Sequence, residues 1–158
     1  MLAGRVPRRT NRADVPACAE RAIDLHSTAN GKIWLSTLDD ALALRIATEG
    51  GLGLPVGAGQ LVGPRVVRNT DELLRDLEAC RARGYGLAIE EAEPGVKAIA
   101  VVVRAVHDQR VLGTMSIAGP LVRMGPGRDA EFHALLQQAA GTLALVWPHD
   151  RLPLSGSV

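Results

Sequence analysis

The sequence has few of the residues from which metal sites and disulfide frameworks are built. Its 158 residues include only two cysteines, Cys18 and Cys80, which are too few and too far apart for a metal knuckle or a set of disulfides. Its four histidines include no pair at a ligand spacing, so we expect no zinc site and no cofactor. Cys80 falls on the apolar face of a predicted helix, which favours a small core residue over a reactive thiol.

A strong charge of one sign and a long apolar run are also lacking. The formal net charge is +1, so the chain has no overall attraction for nucleic acid. Only Lys32 and Lys97 are lysines, and we interpret the excess of arginine as a bias of the genome's base composition. The longest apolar run, Ala98–Val103, falls far short of the roughly 18 residues of a membrane span. Because no apolar block follows the N-terminal arginines, no secretory signal is indicated either, and we expect a cytoplasmic protein without membrane contact.

The motifs of common enzymes are missing too. Ser116 does not lie in the G-x-S-x-G context of a nucleophile, and the glycine-rich segment 52–63 lacks the Lys-Ser/Thr ending of a phosphate loop. Glu90, Glu91 and Glu93 cluster at the end of a predicted strand. Adjacent strand residues point to opposite faces, so Glu90 and Glu91 cannot both line one pocket, and we expect them to hydrogen-bond a loop and to be solvated. An enzyme is therefore not expected.

What the sequence does contain is a pattern of three short strands. Leu87–Ile89, Ala98–Val103 and Val111–Ile117 are rich in β-branched or small apolar residues and are separated by polar or Gly/Pro-containing segments. The polar segment His107–Arg110 is typical of a hairpin turn between the last two strands. A sheet is thus the organising element.

Helical periodicity surrounds these strands. It predicts short helices over Lys32–Leu38 and Leu38–Thr48, and a longer helix that Asn69 caps and that Gly84 ends. Asp129 is predicted to cap a long closing helix.

The length fits one domain with a sizeable core. Residues 1–22 show no clear period and are predicted to be a poorly defined arm, whose arginines we interpret as solvated rather than as DNA contacts. Residues 23–150 form the predicted domain, and residues 151–158 a disordered tail.

Four blocks, in order and spacing, resemble the C-terminal effector-binding domain of IclR-type bacterial transcriptional regulators: Leu25–Lys32, Arg81–Tyr85, Glu90-Glu91 with Pro94–Ala100, and Ser116–Pro120. The resemblance runs from Arg5 to Trp147. In that family the effector domain begins further upstream and follows a winged-helix DNA-binding domain. We therefore expect the winged helix and the first part of the effector domain to be missing from this sequence.

The resemblance implies an α/β (α+β) fold, with a GAF-like antiparallel sheet flanked by helices and an effector pocket between the sheet and the loop before a helix. Carried over residue by residue, it implies a ligand-binding set of Ile23, Thr28, Ala29, Asn30, Gly31, Ala88, Val96, Ala98, Ser116 and Ala118.

Alanine at three of these positions departs from relatives that bind small keto acids through polar side chains. With Ala88, Ala98 and Ala118 the pocket should be wider and drier, and burial of apolar ligand surface should contribute more to binding. We expect an effector larger and more apolar than glyoxylate or pyruvate, for example an aromatic acid whose carboxylate meets the backbone amides of Ala29–Gly31. Alternatively, these alanines simply pack a tight core.

Three classes of function are weighed. The first is the effector-binding and oligomerisation domain of an IclR-family transcriptional regulator, with a small organic acid as effector. It is expected to form a homo-dimer or tetramer and to reach DNA only through a winged-helix domain outside this chain. The alternative is a stand-alone ligand-binding or oligomerisation module that lacks DNA binding. The third class, a small enzyme, is disfavoured by the absence of a nucleophile–base or metal constellation.

Overall fold

A computed structural model describes residues 25–55 and 62–147. Within these ranges the elements are α1 (Ala29–Leu35), α2 (Asp40–Glu49), α3 (Thr70–Arg83), β1 (Gly86–Ile89), β2 (Val96–Arg104), β3 (Val111–Pro120) and α4 (Asp129–Val146). The predicted arm and tail, and Ile23, lie outside the described residues. None of the described helices is long and apolar enough to span a membrane.

The three strands form one antiparallel sheet in the order β1-β2-β3. This confirms the predicted class, an α+β fold with an antiparallel sheet flanked by helices. The ladder between β2 and β3 begins at the pair Val96↔Pro120, so both strands are longer than the apolar pattern predicts. Lys97 interrupts that pattern, yet it lies inside β2, where it pairs with Ile89 and Gly119 and its side chain is buried.

Side-chain caps place the first two helices differently from the prediction. The Oγ1 of Thr28 accepts a hydrogen bond from the Gly31 amide at 3.0 Å, so α1 begins at Ala29 rather than at Lys32. In the same way the side chain of Asp39 caps α2, which therefore begins at Asp40. Periodicity detects that a helix is present, but the capping contact decides where it begins.

The two longer helices differ in how well their starts are predicted. Asn69 does cap α3, accepting a hydrogen bond from the Glu72 amide at 2.9 Å, and Gly84 ends that helix with a φ of 81°. The prediction that Asp129 caps α4 is wrong. The cap position is held by Arg128 without a side-chain hydrogen bond, because the carboxylate of Asp129 is drawn to the buried ammonium group of Lys97.

Alternate residues of β2 supply two separate cores. Ala98, Ala100 and Val102 pack in a cluster with residues of α1 and α3, including the buried Cys80. Residues Ile99, Val101 and Val103 pack in a cluster with α4. The sheet is therefore covered on one face by α1, with Cys80 of α3 beside it, and on the other by α4. A third cluster joins the first three helices through residues such as Leu35, Ala43, Leu73 and Leu77.

The helix α1 approaches β1 unusually closely because a glycine faces it. A Cβ placed on Gly86 would lie 2.2 Å from the carbonyl oxygen of Ala29 and 2.9 Å from the Cβ of Ile33. The first turn of α1 thus rests directly on the backbone of β1. This contact fixes the height of α1 above the sheet.

We expect Gly86→Ala to destabilise the domain by roughly 1–3 kcal/mol or more, since an added methyl group must push α1 away from the sheet. Gly141 in α4 offers a matched control, because a Cβ there meets nothing within 4 Å. Gly141→Ala should raise stability by about 0.5–1 kcal/mol through helix propensity alone. Urea unfolding of the two variants and the wild type measures both effects, and wild-type stability of Gly86→Ala would contradict the close packing of α1.

Candidate functional site

A cavity of about 220 Å³ lies between the start of α1, the sheet and the loop that follows β1. Eight of the ten predicted ligand-binding residues surround it, namely Thr28, Ala29, Asn30, Ala88, Val96, Ala98, Ser116 and Ala118. They come from α1 with its cap and from all three strands. The structure thus brings the predicted set together, and its role in binding a ligand stays a prediction.

The floor of the cavity is a row of alanines across the sheet. Ala88 pairs with Ala98 across β1 and β2, and Ala98 pairs with Ala118 across β2 and β3. Directly opposite residues lie about 4.5–5.5 Å apart, so three methyl groups form a continuous flat surface. Because a methyl group reaches so little above the strands, space remains beneath α1.

One end of the cavity carries neutral polar groups. The Nδ2 of Asn30 donates a hydrogen bond to the Oγ of Ser116 at 3.0 Å, which joins α1 to the edge strand β3. The Oδ1 of Asn30 is buried and accepts no hydrogen bond within the described part of the chain. Buried polar atoms are usually paired, so the Asn30 amide has an acceptor oxygen that no described residue satisfies.

Gly31 does not line the cavity, although it belongs to the predicted set. Its amide donates a hydrogen bond to the side chain of Thr28. Of the Ala29–Gly31 amides that were expected to meet a ligand carboxylate, this one is therefore already bonded. A Cβ at Gly31 would lie 2.1 Å from the carbonyl oxygen of Leu25. Gly31 therefore allows the chain before α1 to cross close to the helix.

The opposite end of the cavity is acidic, a feature that the sequence did not predict. Glu91 and Glu93 line it together with Ala92. Glu91 is buried, and its Oε1 and Oε2 accept hydrogen bonds from the Nζ of Lys32 at 2.7 and 2.8 Å. The expectation of loop hydrogen bonding holds for Glu90, whose Oε1 accepts from the Gly95 amide. For Glu91 the expected solvation is wrong, because its carboxylate is buried.

Lys32 connects the cavity to α3. Besides Glu91, its ammonium group donates to the Oδ2 of Asp76 at 2.8 Å, and its side chain is only 1% exposed. Burial raises the pKa of the Glu91 carboxyl, while the charge of Lys32 opposes that rise. The only signal in the sequence was the scarcity of lysine, with Lys32 at the start of a predicted helix.

A larger cavity, of about 480 Å³, lies beside the C-terminal part of β2, between α1, α3 and α4. Its Arg81 is engaged with the carbonyls of Ser36 and Leu38. Burial raises the pKa of the Cys80 thiol in its wall, which disfavours the reactive thiolate. Among the described residues no group of three His, Cys, Asp or Glu side chains could hold a metal ion. The smaller cavity, with its converging polar groups, is therefore the better candidate for a binding site.

Comparison with known proteins bears on the class of this domain. Residues 8–145 match the family model described as "Bacterial transcriptional regulator IclR C-terminal". The regulator XynR of Escherichia coli is 31% identical over 124 residues, which cover 78% of this chain and 46% of XynR. The repressor IclR of the same organism is 28% identical over 79% of this chain and 43% of its own length. The chain thus spans less than half the length of these relatives.

Solved structures agree with this result. The C-terminal domain of E. coli KdgR is 31% identical with a TM-score of 0.61, covering 77% of this chain and 69% of that one. The inducer-binding domain of PobR from Acinetobacter, a double mutant solved with 3-hydroxybenzoic acid, is 27% identical with a TM-score of 0.65, covering 76% and 65%.

The fold and the comparisons define a regulatory domain rather than an enzyme, as predicted. The chain belongs to the IclR family of bacterial transcriptional regulators and corresponds to its C-terminal, effector-binding domain.

We expect Lys32→Met to destabilise the domain by about 3–5 kcal/mol, because Glu91 is left buried without its cation. The loss of stability in Lys32→Met should grow with pH. Without Lys32 the pKa of Glu91 rises further above its ordinary value of 4.5. The stability associated with a raised carboxyl pKa is fully present below the unfolded-state pKa and is lost as pH rises through the folded-state pKa.

Urea unfolding at about pH 5 and about pH 8 measures this slope. Arg45→Met, which removes an exposed cation from α2, serves as the control and should change stability by no more than about 0.5 kcal/mol at either pH. Parallel pH profiles for Lys32→Met and the wild type would argue against the assigned role of Lys32.

Proposed function

We propose that this domain senses a small organic acid, with an aromatic acid as the favoured class, and binds it in the alanine-floored cavity. The observation that carries the proposal is the convergence of residues from α1 and all three strands on one cavity with a flat apolar floor and polar ends. Its volume of about 220 Å³ lies below the roughly 300–1,000 Å³ of sites for drug-sized ligands. A single small ring with one or two polar groups fits that scale.

The 3-hydroxybenzoic acid bound to the inducer-binding domain of PobR supports an aromatic acid for this chain as well. The floor supports the same choice, because a flat ring buries one face against Ala88, Ala98 and Ala118. A small keto acid such as pyruvate offers little apolar surface to such a floor, so its binding gains less from burial.

In a complete regulator of this family, the effector acts by binding two states of the protein with different affinities. We propose that this domain supplies that differential affinity and that a DNA-binding domain elsewhere in such a regulator responds to it. DNA contact by the whole protein, like its cytoplasmic location, is part of this proposal.

Calorimetric titration with benzoate, 3-hydroxybenzoate and pyruvate tests the assignment. We expect an aromatic acid to bind more tightly than pyruvate, and Ala98→Leu to weaken its binding about ten- to hundredfold, because a clash of roughly 1–3 kcal/mol arises on the floor. Ala134→Leu, on the exposed surface of α4, is the matched control and should bind like the wild type. Tighter binding of pyruvate than of either aromatic acid would refute the proposed class.

We also propose that the domain self-associates through the outer face of α4. Leu135, Leu145 and Val146 are 51%, 70% and 71% exposed there, and Ala139 lies between them on the same side of the helix. Large apolar side chains grouped on one exposed helix face are typical of an interface. A second copy of the chain would cover this face in a symmetric dimer.

Size-exclusion chromatography with light scattering measures the association. The wild type should elute as a dimer or larger, and Leu135→Glu should shift it toward monomer, because a charge on the face would be buried without a partner. Gln137→Glu adds the same charge on another side of α4 and should leave the assembly unchanged. A monomeric wild type contradicts the proposed self-association.

A further inference from the structure

The cavity has two chemically opposite ends, and their positions follow from the sheet register. Glu93 lies beside Val96, whose amide donates to the Glu93 carbonyl oxygen at 3.4 Å. Ser116, which bonds Asn30, pairs instead with Ala100. Four residues of β2 separate these two rows, which is about 13 Å of strand. Glu93 and Ser116 thus lie on opposite sides of the alanine floor, while the Glu91 carboxylate lies nearer to the floor, because it is bonded to the amide of Ile89, which pairs with Lys97.

The charges at the two ends of the cavity determine which end can accept the carboxylate of a ligand. Both titratable side chains that line the cavity, Glu91 and Glu93, are acids, and no lysine, arginine or histidine lines it among the described residues. Lys32 compensates the charge of Glu91, so the charge that repels a ligand carboxylate from the acidic end is mainly that of Glu93. The carboxylate is accepted at the other end, where Asn30 and Ser116 offer an amide N–H and a hydroxyl as donors.

Glu91 retains capacity to accept one more hydrogen bond. A carboxylate has about four acceptor positions. Lys32 uses one on each oxygen, and the amide of Ile89 uses a second on Oε1 at 3.3 Å. The remaining position belongs to Oε2 of a residue that lines the cavity. It suits a ligand hydroxyl, because a hydrogen bond to a charged acceptor is stronger than one to a neutral acceptor.

We propose that Glu91 is a specificity-determining residue that accepts a hydrogen bond from a hydroxyl group of the effector. The carboxylate of the effector then lies at the other end of the cavity, at Asn30 and Ser116. The effector class is thereby narrowed to hydroxylated aromatic acids. This inference rests on the proposed function, since it concerns the same cavity. Lys32 holds the Glu91 carboxylate in place, and the alanine floor supports the ring between the two ends.

Calorimetric titration of the full chain with benzoate, 3-hydroxybenzoate and 4-hydroxybenzoate tests the proposal. At least one hydroxylated acid should bind the wild type about tenfold more tightly than benzoate, the factor expected for one hydrogen bond to a charged acceptor. In Glu91→Gln this preference should fall toward parity, while benzoate affinity stays the same or improves. Glu78→Gln is the matched control, because it removes an exposed carboxylate on α3 that does not line the cavity, and it should keep the preference.

Thermal unfolding of each variant checks that the domain is folded. Where Glu91→Gln unfolds, the double variant Lys32→Met/Glu91→Leu replaces the buried pair by apolar side chains of similar size, which folded domains tolerate, and it should lose the preference in the same way. Equal wild-type affinity for benzoate and both hydroxybenzoates overturns this inference and leaves the proposed function intact. A preference that persists in a folded Glu91 variant also overturns it. Failure of all three acids to bind the wild type overturns the proposed function as well.

Discussion

The ammonium group of Lys32 is the interaction on which the arrangement of this domain depends. It is almost completely buried and bonds Glu91 in the loop after β1 and Asp76 on α3. Removing a cation from water is costly, and only close carboxylates with good geometry offset that cost. Each of three segments carries one member of this ion pair, namely α1, the loop after β1 and α3. Their positions therefore depend on one another. This ion pair also holds Glu91 at the acidic end of the cavity.

The second lysine follows the same rule on the other face of the sheet. Lys97 is 3% exposed, and its ammonium group bonds Asp129 at the start of α4 and the carbonyl oxygen of Met124. An ammonium group is a compact charge on a flexible stem, which suits a narrow space beside a strand. In a chain whose other cations are arginines, each lysine thus marks a buried ion pair. The sequence led us to interpret the arginine excess as a compositional bias. The two lysines are the exceptions to that bias, and both have a structural role.

Periodicity and turn residues were sufficient to predict the type and order of the elements, and the caps of α3 at Asn69 and Gly84. Helix starts were harder, because several Ser, Thr, Asn and Asp side chains lie close to the start of each short helix, and only the folded backbone selects the one that caps it. The residues gathered at the cavity were predicted from the resemblance to the family, since they come from distant segments and share no local pattern.

Glu91 escaped prediction for a definite reason. The alternation of side chains applies only while the backbone stays extended, and Glu90 has a φ of 53°, which ends β1 and reverses the chain. Beyond that point the side-chain direction of Glu91 no longer follows from its place in the sequence. The close contact of Gly86 with α1 was equally hidden, because a glycine in a strand has several possible explanations.

The placement of the cavity constrains how a bound effector could influence the rest of the protein. The cavity lies on the face of the sheet that α1 covers, and it shares Glu91 with the ion pair that reaches Asp76. A ligand that shifts Glu91 therefore acts on α3 through two short, charge-assisted hydrogen bonds. The route to α4 is different, because α4 packs on the opposite face against Ile99 and Val101. Any change must there pass through a close-packed sheet, which resists gradual deformation. The shorter physical path from the cavity thus leads to α3, and the long apolar helix α4 packs on a core that lies on the opposite face of the sheet.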